Sequence, residues 1–236
     1  MQVVILAGGL GTRLSEETDL IPKPMVRIGD IPILHHIMNY YKSFGHNKFL
    51  IAAGYKSEII EEYCSTISYS DDIKVVNTGL HLSTGGRIKY LENDLDDNFF
   101  LTYGDGLSDI NLNNLLKFHT EMGLLISVSA VRPPARFGVL EINTDKIVTK
   151  FAEKEQSDVG WINGGFFCCN KGIINYITDL QDPFENLPLK NLSKNRQLSA
   201  FEHEGWWQPM DTLREKRVLQ KLFIDGQAPW LKYGSI

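Results

Sequence analysis

The start of the chain allows few folds. Val3-Val4-Ile5-Leu6 carries no polar residue and runs directly into Ala7-Gly8-Gly9-Leu10-Gly11-Thr12-Arg13-Leu14. Such an apolar run reads as a buried strand. A glycine-rich loop at its carboxyl end can turn tightly and aim backbone N–H groups at an anion. Arg13 closes the loop, and Pro22-Lys23-Pro24-Met25 follows. Arginine and lysine supply charge where a polyphosphate would sit. A Walker A loop requires Gly-x-x-x-x-Gly-Lys-Ser/Thr, which is absent from the sequence. A dinucleotide fingerprint requires a third glycine where the frame from Gly9 reaches Leu14, and the frame from Gly8 fails as well. An ordinary strand-to-helix turn would account for Gly-Gly-x-Gly alone, but not for Arg13, Lys23 and the acidic motifs downstream.

The rest of the first half alternates strand and helix. Lys48–Ala53, Ile73–Asn77 and Phe99–Tyr103 read as strands. Pro32 to Phe44, Ser57 to Cys64, Gly85 to Glu92 and Leu112 to Met122 read as helices, with Ser57 able to cap its own. The expected fold is a Rossmann-like α/β arrangement, a mostly parallel sheet sandwiched by helices. Ligands of such sheets sit beyond the carboxyl ends of the strands. The glycine loop and Asp105 both follow strands and fall on that edge. The second half is richer in strands: Leu125–Val131, Gly138–Ile142, Ile147–Ala152, Trp161–Cys169 and Leu198–His203. Asn143-Thr144-Asp145 reads as a hairpin turn, and Thr212 to Phe223 as a closing helix. Gln181–Asn195, with Pro183 and Pro188, is the least regular stretch and a candidate mobile segment. We expect one domain over 1–236, with a first half at 1–122 that carries the glycine loop and a strand-rich second half at 123–236.

Composition excludes several classes. A formal net charge of −5 argues against a general nucleic-acid binder. The three cysteines, Cys64, Cys168 and Cys169, include no Cys-x-x-Cys pair, so structural zinc is not expected and buried free thiols are. Neither a signal peptide nor an apolar stretch of spanning length is visible, and a cytoplasmic protein is expected.

Asp105 lies between Gly104 and Gly106 just past an apolar strand. A carboxylate so placed can meet a hard cation directly, although Gly-Asp-Gly is also good turn chemistry. Asp211, in Gln208-Pro209-Met210-Asp211-Thr212-Leu213-Arg214, is a second candidate, and it also suits a helix N-cap. Two aspartates with Arg13 and Lys23 suit metal-assisted phosphoryl or nucleotidyl transfer, which needs positioning and electrostatics more than covalent protein chemistry. Gly-x-Ser-x-Gly is absent, and His35-His36 reads as structural. The small, polar stretch Thr78–Arg87 reads as a flexible binding surface at a helix start. Asn163-Gly164-Gly165 breaks a strand, as a β-bulge or as a place of close ligand approach. His81 reads as a solvated loop residue. Trp161, Trp206, Trp207 and Trp230 read as packing residues that could also stack on a ligand.

With these segments in view, the chain resembles the sugar-1-phosphate nucleotidylyltransferases, most of all the branch that uses CTP and glucose 1-phosphate in deoxysugar and surface-polysaccharide pathways. The resemblance rests on Leu6–Leu14, Pro22–Met25, Thr84–Arg87, Thr102–Gly106, Arg136-Phe137-Gly138, Ile162–Phe167 and Trp207–Arg214, and covers nearly the whole chain. It implies nucleotide contacts at Leu6, Ala7, Gly8, Gly9, Gly11, Thr12 and Gly104, with base reading at Thr84, Gly85 and Gly86. It implies catalytic roles for Arg13 and Lys23, and a Mg2+ pair at Asp105 and Asp211. It implies acceptor contacts at Glu153, Lys154, Asn163 and Gly164. The partners implied are CTP and a phosphorylated acceptor, with a homo-oligomer expected and neither nucleic acid nor membrane. Two features depart from the family pattern: Ser70–Asn77 is compact, and Glu155 stands where proline is usual. A different sugar phosphate, a non-sugar phosphate, another nucleoside triphosphate, or a silent nucleotide-binding subunit stay open as alternatives at this point.

Overall fold

The strand that opens the sequence lies inside the central sheet of the protein, seen here in a computed structural model that describes residues 1–14, 18–133, 139–152 and 160–234. In chain order the first elements are β1 (Gln2–Ala7), β2 (Arg27–Ile28), β3 (Ile31–Pro32), α1 (Ile33–Lys42), β4 (Phe49–Ala53), α2 (Ser57–Ser65), β5 (Ile73–Asn77), α3 (Thr84–Tyr90), β6 (Asn98–Tyr103) and β7 (Gly106–Ser108). Then come α4 (Leu112–Met122), β8 (Ile126–Val131), β9 (Val139–Ile142), β10 (Val148–Ala152), β11 (Ile162–Asn170), α5 (Leu187–Lys194), β12 (Leu198–His203), β13 (Trp207–Pro209) and α6 (Leu213–Ile224).

Seven strands form one sheet in the order β12-β8-β11-β6-β1-β4-β5. β1 pairs in parallel with β4 and β6, β4 with β5, and β8 with β12. β11 alone runs against its neighbours β6 and β8. This is the mixed, mostly parallel α/β sheet expected from the sequence. Alternation along β1 assigns the faces. Val3 and Ile5 join a core with Ile37, Met38 and Tyr41 of α1 and Ile60 of α2. Val4 and Leu6 join a second core with Ile88 of α3, Phe184 and Leu192. Each such side chain contributes about 1.5–3 kcal/mol by leaving water, and the one polar residue of β1, Gln2, is buried with its amide bonded to Asp94 O and Asp96 N–H. No helix of the described residues is long and apolar enough to cross a membrane. All three cysteines are buried and free.

Several local details differ from the sequence reading. Ser57 does not cap α2: Lys56 occupies the cap in a left-handed conformation, and Ser57 is already inside the helix. Gln181–Asn195 contains α5, because Pro188 falls in its first turn, where proline needs no hydrogen-bond partner. The hairpin of β9 and β10 forms a separate two-stranded sheet whose turn is held by the Asn143 side chain, accepting from Asp145 and Ile147 N–H. Two short pairings carry no periodic signal, β2 with β3 and β7 with β13. The second of these builds the site.

His36 is structural, as expected. The Trp230 indole N–H donates to His36 Nδ1 at 3.1 Å, so Nε2 carries the proton and donates to Ile28 O at 2.8 Å. Burial lowers the His36 pKa from 6.5 to about 4. The unfolded chain therefore takes up a proton below pH 6.5 that the folded chain refuses. Stability is complete above pH 6.5 and declines as pH falls toward 4, by on the order of 3 kcal/mol from this residue. Thermal melts of wild type and His36→Gln across pH 4–7 should show a shallower decline in the variant.

Candidate active site

A cleft of about 410 Å3 opens at the carboxyl edge of the sheet. The glycine loop forms its floor from Leu6 to Gly11, and Lys23, Ser83, Thr84, Arg87, Tyr103, Gly104 and Asp105 complete it. Gly104 N–H donates to Leu6 O at 3.0 Å, which ties the end of β6 to the end of β1. Thr12 is exposed at the start of a single 3-10 turn, Thr12–Leu14. The Arg13 side chain, Glu153, Lys154 and Arg136-Phe137-Gly138 lie outside the described residues.

The glycine loop is held from below by a side chain that sequence reasoning left without a role. Arg87 is buried. Its guanidinium donates to Gly8 O at 2.9 Å, to Gly79 O at 2.9 Å and to Ala53 O at 3.2 Å, and it also reaches Thr78 Oγ1. One planar donor fork thus pins the ends of β1, β4 and β5 together. A Cβ on Gly8 would sit 2.2 Å from this guanidinium, so only glycine admits the clamp. The stretch Thr78–Arg87, read as flexible, is fixed at Thr78, Gly79 and Arg87. His81 is exposed and outside the cleft lining.

The charged centre is assembled by the short ladder that the sequence does not advertise. Asp105 immediately precedes β7. β13 runs antiparallel to β7 with Pro209 opposite Gly106, and Met210 N–H donates to Asp105 O at 2.8 Å. Asp211 follows one residue later and is delivered beside Asp105 from 106 positions along the chain. The Lys23 ammonium lies between them, 2.5 Å from Asp105 Oδ2 and 2.6 Å from Asp211 Oδ1. Lys23 is buried in the 3-10 turn Lys23–Met25. Burial alone would lower its pKa, but the two carboxylates outweigh burial and hold the ammonium above its ordinary value.

Asp211 is not the helix cap. Thr212 caps α6 in a reciprocal arrangement with Glu215, and the Glu215 carboxylate accepts from Asp211 N–H at 2.8 Å. The cap therefore falls one residue later than expected, and the Asp211 carboxylate is turned toward Lys23. β13 itself is anchored by Asp109, which accepts from Trp206 N–H at 2.7 Å and faces His203, and by Ser108 Oγ donating to Trp206 O at 2.8 Å.

A bulge lies behind Tyr103, next to the cleft. The register of β11 against β8 shifts between Asn163 and Phe167. Asn163 Oδ1 accepts from Gly165 N–H at 2.8 Å, and its amide reaches Tyr103 Oη at 3.4 Å. The Trp207 indole N–H donates to Gly164 O at 2.7 Å. Trp206 stacks on the buried Trp230, and Arg132 lies over Trp161, so these three rings serve packing. Thr84 lines the cleft, but Gly85 and Gly86 face away from it: a Cβ on Gly86 would fall 2.0 Å from Leu180 O, and one on Gly85 2.5 Å from Asp182 O.

No group of three or more His, Cys, Asp or Glu side chains placed to hold a metal ion is present among the described residues. A divalent cation that binds phosphates needs only one or two carboxylates, and the Asp105 and Asp211 oxygens both face the Lys23 ammonium.

A glycine loop at the end of a central parallel strand, with paired carboxylates and a lysine at the cleft mouth, defines an α/β protein built to act on a nucleotide. The family model for nucleotidyl transferases matches residues 2–211, and the chain belongs to that family. The glucose-1-phosphate cytidylyltransferase of Salmonella typhimurium is 42% identical over 254 aligned positions, covering 98% of each chain. The D-glycero-alpha-D-manno-heptose 1-phosphate guanylyltransferase of Campylobacter jejuni is 34% identical, covering 78% of this chain and 82% of its own. Among solved structures, HddC from Yersinia pseudotuberculosis complexed with GMP-PN superposes with a TM-score of 0.75 at 27% identity, over 94% of this chain and 99% of that one.

Lys23→Met would leave two carboxylates converging with no cation between them. Loss of about 2 kcal/mol of stability is expected without divalent metal. Added metal should restore part of it, read as a larger rise in melting temperature for the variant than for wild type.

Proposed function

We propose that this enzyme transfers a cytidylyl group from CTP to α-D-glucose 1-phosphate, forming CDP-glucose and pyrophosphate. The observation that carries the reading is the meeting of Lys23, Asp105 and Asp211 at the mouth of the glycine loop, in a chain 42% identical to a glucose-1-phosphate cytidylyltransferase over 98% of its length. Residues 1–122 carry the nucleotide wall and 123–236 the acceptor wall, with Asp211 crossing to complete the centre.

The chemistry is an in-line exchange at phosphorus. A phosphate oxygen of glucose 1-phosphate forms a bond to the α-phosphorus of CTP. The bond from that phosphorus to the bridging oxygen of the β-phosphate breaks, and pyrophosphate departs with the electron pair. Backbone N–H groups of Gly8, Gly9 and Gly11 hold the phosphates, and Arg87 keeps that backbone in place. Arg13 offsets charge on the leaving group. Lys23 lies where it can contact both the α-phosphate and the incoming phosphate, once its carboxylate partners are otherwise engaged. Asp105 and Asp211 would hold Mg2+, and their two converging oxygens fit an ion that keeps waters and phosphates as its other ligands. Bound there, Mg2+ supplies charge neutralisation and orientation of the triphosphate. Asn163, the Gly164 carbonyl fixed by Trp207, Lys154 and Glu153 receive the sugar phosphate. No covalent enzyme intermediate is required, because positioning and electrostatics suffice for this class of transfer.

Pyrophosphate release should be fastest with CTP and glucose 1-phosphate when four nucleoside triphosphates are crossed with a panel of sugar and non-sugar phosphates, and mass spectrometry should identify CDP-glucose. A faster pair elsewhere in the panel reassigns the substrates. Asp105→Asn should lower kcat by roughly 100-fold or more while leaving the melting temperature nearly unchanged. Near-wild-type turnover of that variant at saturating magnesium would defeat the metal assignment.

A further inference from the structure

We infer that Glu185 is a positioning residue that couples the nucleotide wall to the acceptor wall, an inference that rests on the transfer reaction proposed above. Glu185 lies in the segment between Tyr176 and α5, in the second half of the chain, and both of its hydrogen bonds reach into the first half. Its Oε2 accepts from Thr84 Oγ1 at 2.7 Å, and its Oε1 accepts from the Tyr103 hydroxyl. Thr84 is the first residue of α3 and lines the nucleotide side of the cleft. Tyr103 ends β6, two residues before Asp105, and its hydroxyl also receives the Asn163 amide at 3.4 Å. The chain of contacts Thr84–Glu185–Tyr103–Asn163 therefore links two residues of the cleft lining to the bulge at Asn163.

The rest of the segment is built to hold that carboxylate still. Phe184 N–H donates to Thr84 Oγ1 at 2.8 Å, and Ser83 Oγ donates to Asp182 O at 2.6 Å. Phe184 is fully buried in the second core. Gly85 and Gly86 let the backbone of 180–184 lie directly on α3, which gives Thr84-Gly85-Gly86 a packing reason independent of any base. Glu185 itself is exposed, so its carboxylate is placed by these contacts and not by burial. A carboxylate accepts about four hydrogen bonds, and two of them hold the Thr84 and Tyr103 hydroxyls at a fixed separation. Charge-assisted hydrogen bonds of this kind are the stronger ones.

Three variants test the coupling: Glu185→Ala, Glu185→Gln and Tyr103→Phe. Steady-state kinetics are run with CTP and glucose 1-phosphate, or with whichever pair the substrate panel selects, so that a wrong substrate assignment and a wrong role for Glu185 give different results. Glu185→Ala should raise KM for both substrates roughly tenfold, with kcat per active site changed far less. Tyr103→Phe should raise KM for the sugar phosphate and leave that for the nucleotide within about twofold, because the Thr84 contact survives. Glu185→Gln, which can still bridge two hydroxyls, should recover most of both losses. Loss of active enzyme with both KM values unchanged in Glu185→Ala would show a folding role and overturn the inference. So would an alanine variant indistinguishable from wild type, or a glutamine variant as impaired as alanine.

Discussion

Two carboxylates at one point repel each other unless a cation lies between them, and the cleft is arranged around that requirement. Lys23 satisfies it, bridging Asp105 and Asp211 through contacts of 2.5 and 2.6 Å. Each of the three groups comes from a different part of the chain. The lysine is carried by a buried turn just after the glycine loop, one aspartate by the end of β6, and the other by a strand close to the C-terminus. The energy of such a cluster depends steeply on separation and on surrounding dielectric, so the backbone must hold its parts to within fractions of an ångström. Asn or Lys substitutions elsewhere on the surface meet no such demand.

The backbone meets that demand through hydrogen bonds. The Met210 N–H to Asp105 O contact, together with the pairing of β13 and β7, makes the two acidic residues neighbours on a common ladder. The Arg87 fork does the equivalent work for the glycine loop by joining the ends of three parallel strands. Both devices use buried or half-buried polar groups that are fully engaged, which is the condition under which such groups add rigidity. A nucleotide then meets a loop and a charge cluster that are already in place, and little ordering remains to be done on binding.

Much of the architecture was legible in the sequence. The strands β1, β4 and β6 were readable because an apolar run bounded by turn residues leaves little choice. The cap of α6 was missed by one residue because Asp211 and Thr212 are both good N-caps, and only the Glu215 side chain distinguishes them. α5 was missed because prolines inside a polar stretch resemble a loop unless their position within the first turn is known. Arg87 left a trace, an arginine directly after Thr-Gly-Gly, but its role depends on the carbonyls of Gly8, Ala53 and Gly79, which are distant in sequence. Glu185 left none.

The sequence by itself determined the layered α/β sheet, the edge on which ligands must lie, and the residue types able to handle a phosphorylated nucleotide. These follow from short-range pattern: apolar runs, glycine where a loop must tighten, charge at a strand end. The tertiary structure decided which charges meet. Asp105 and Asp211 are joined by a three-residue ladder, and Thr84 and Tyr103 by a glutamate from an unremarkable segment. Such contacts depend on distance through space, and a chain encodes that only once it has folded.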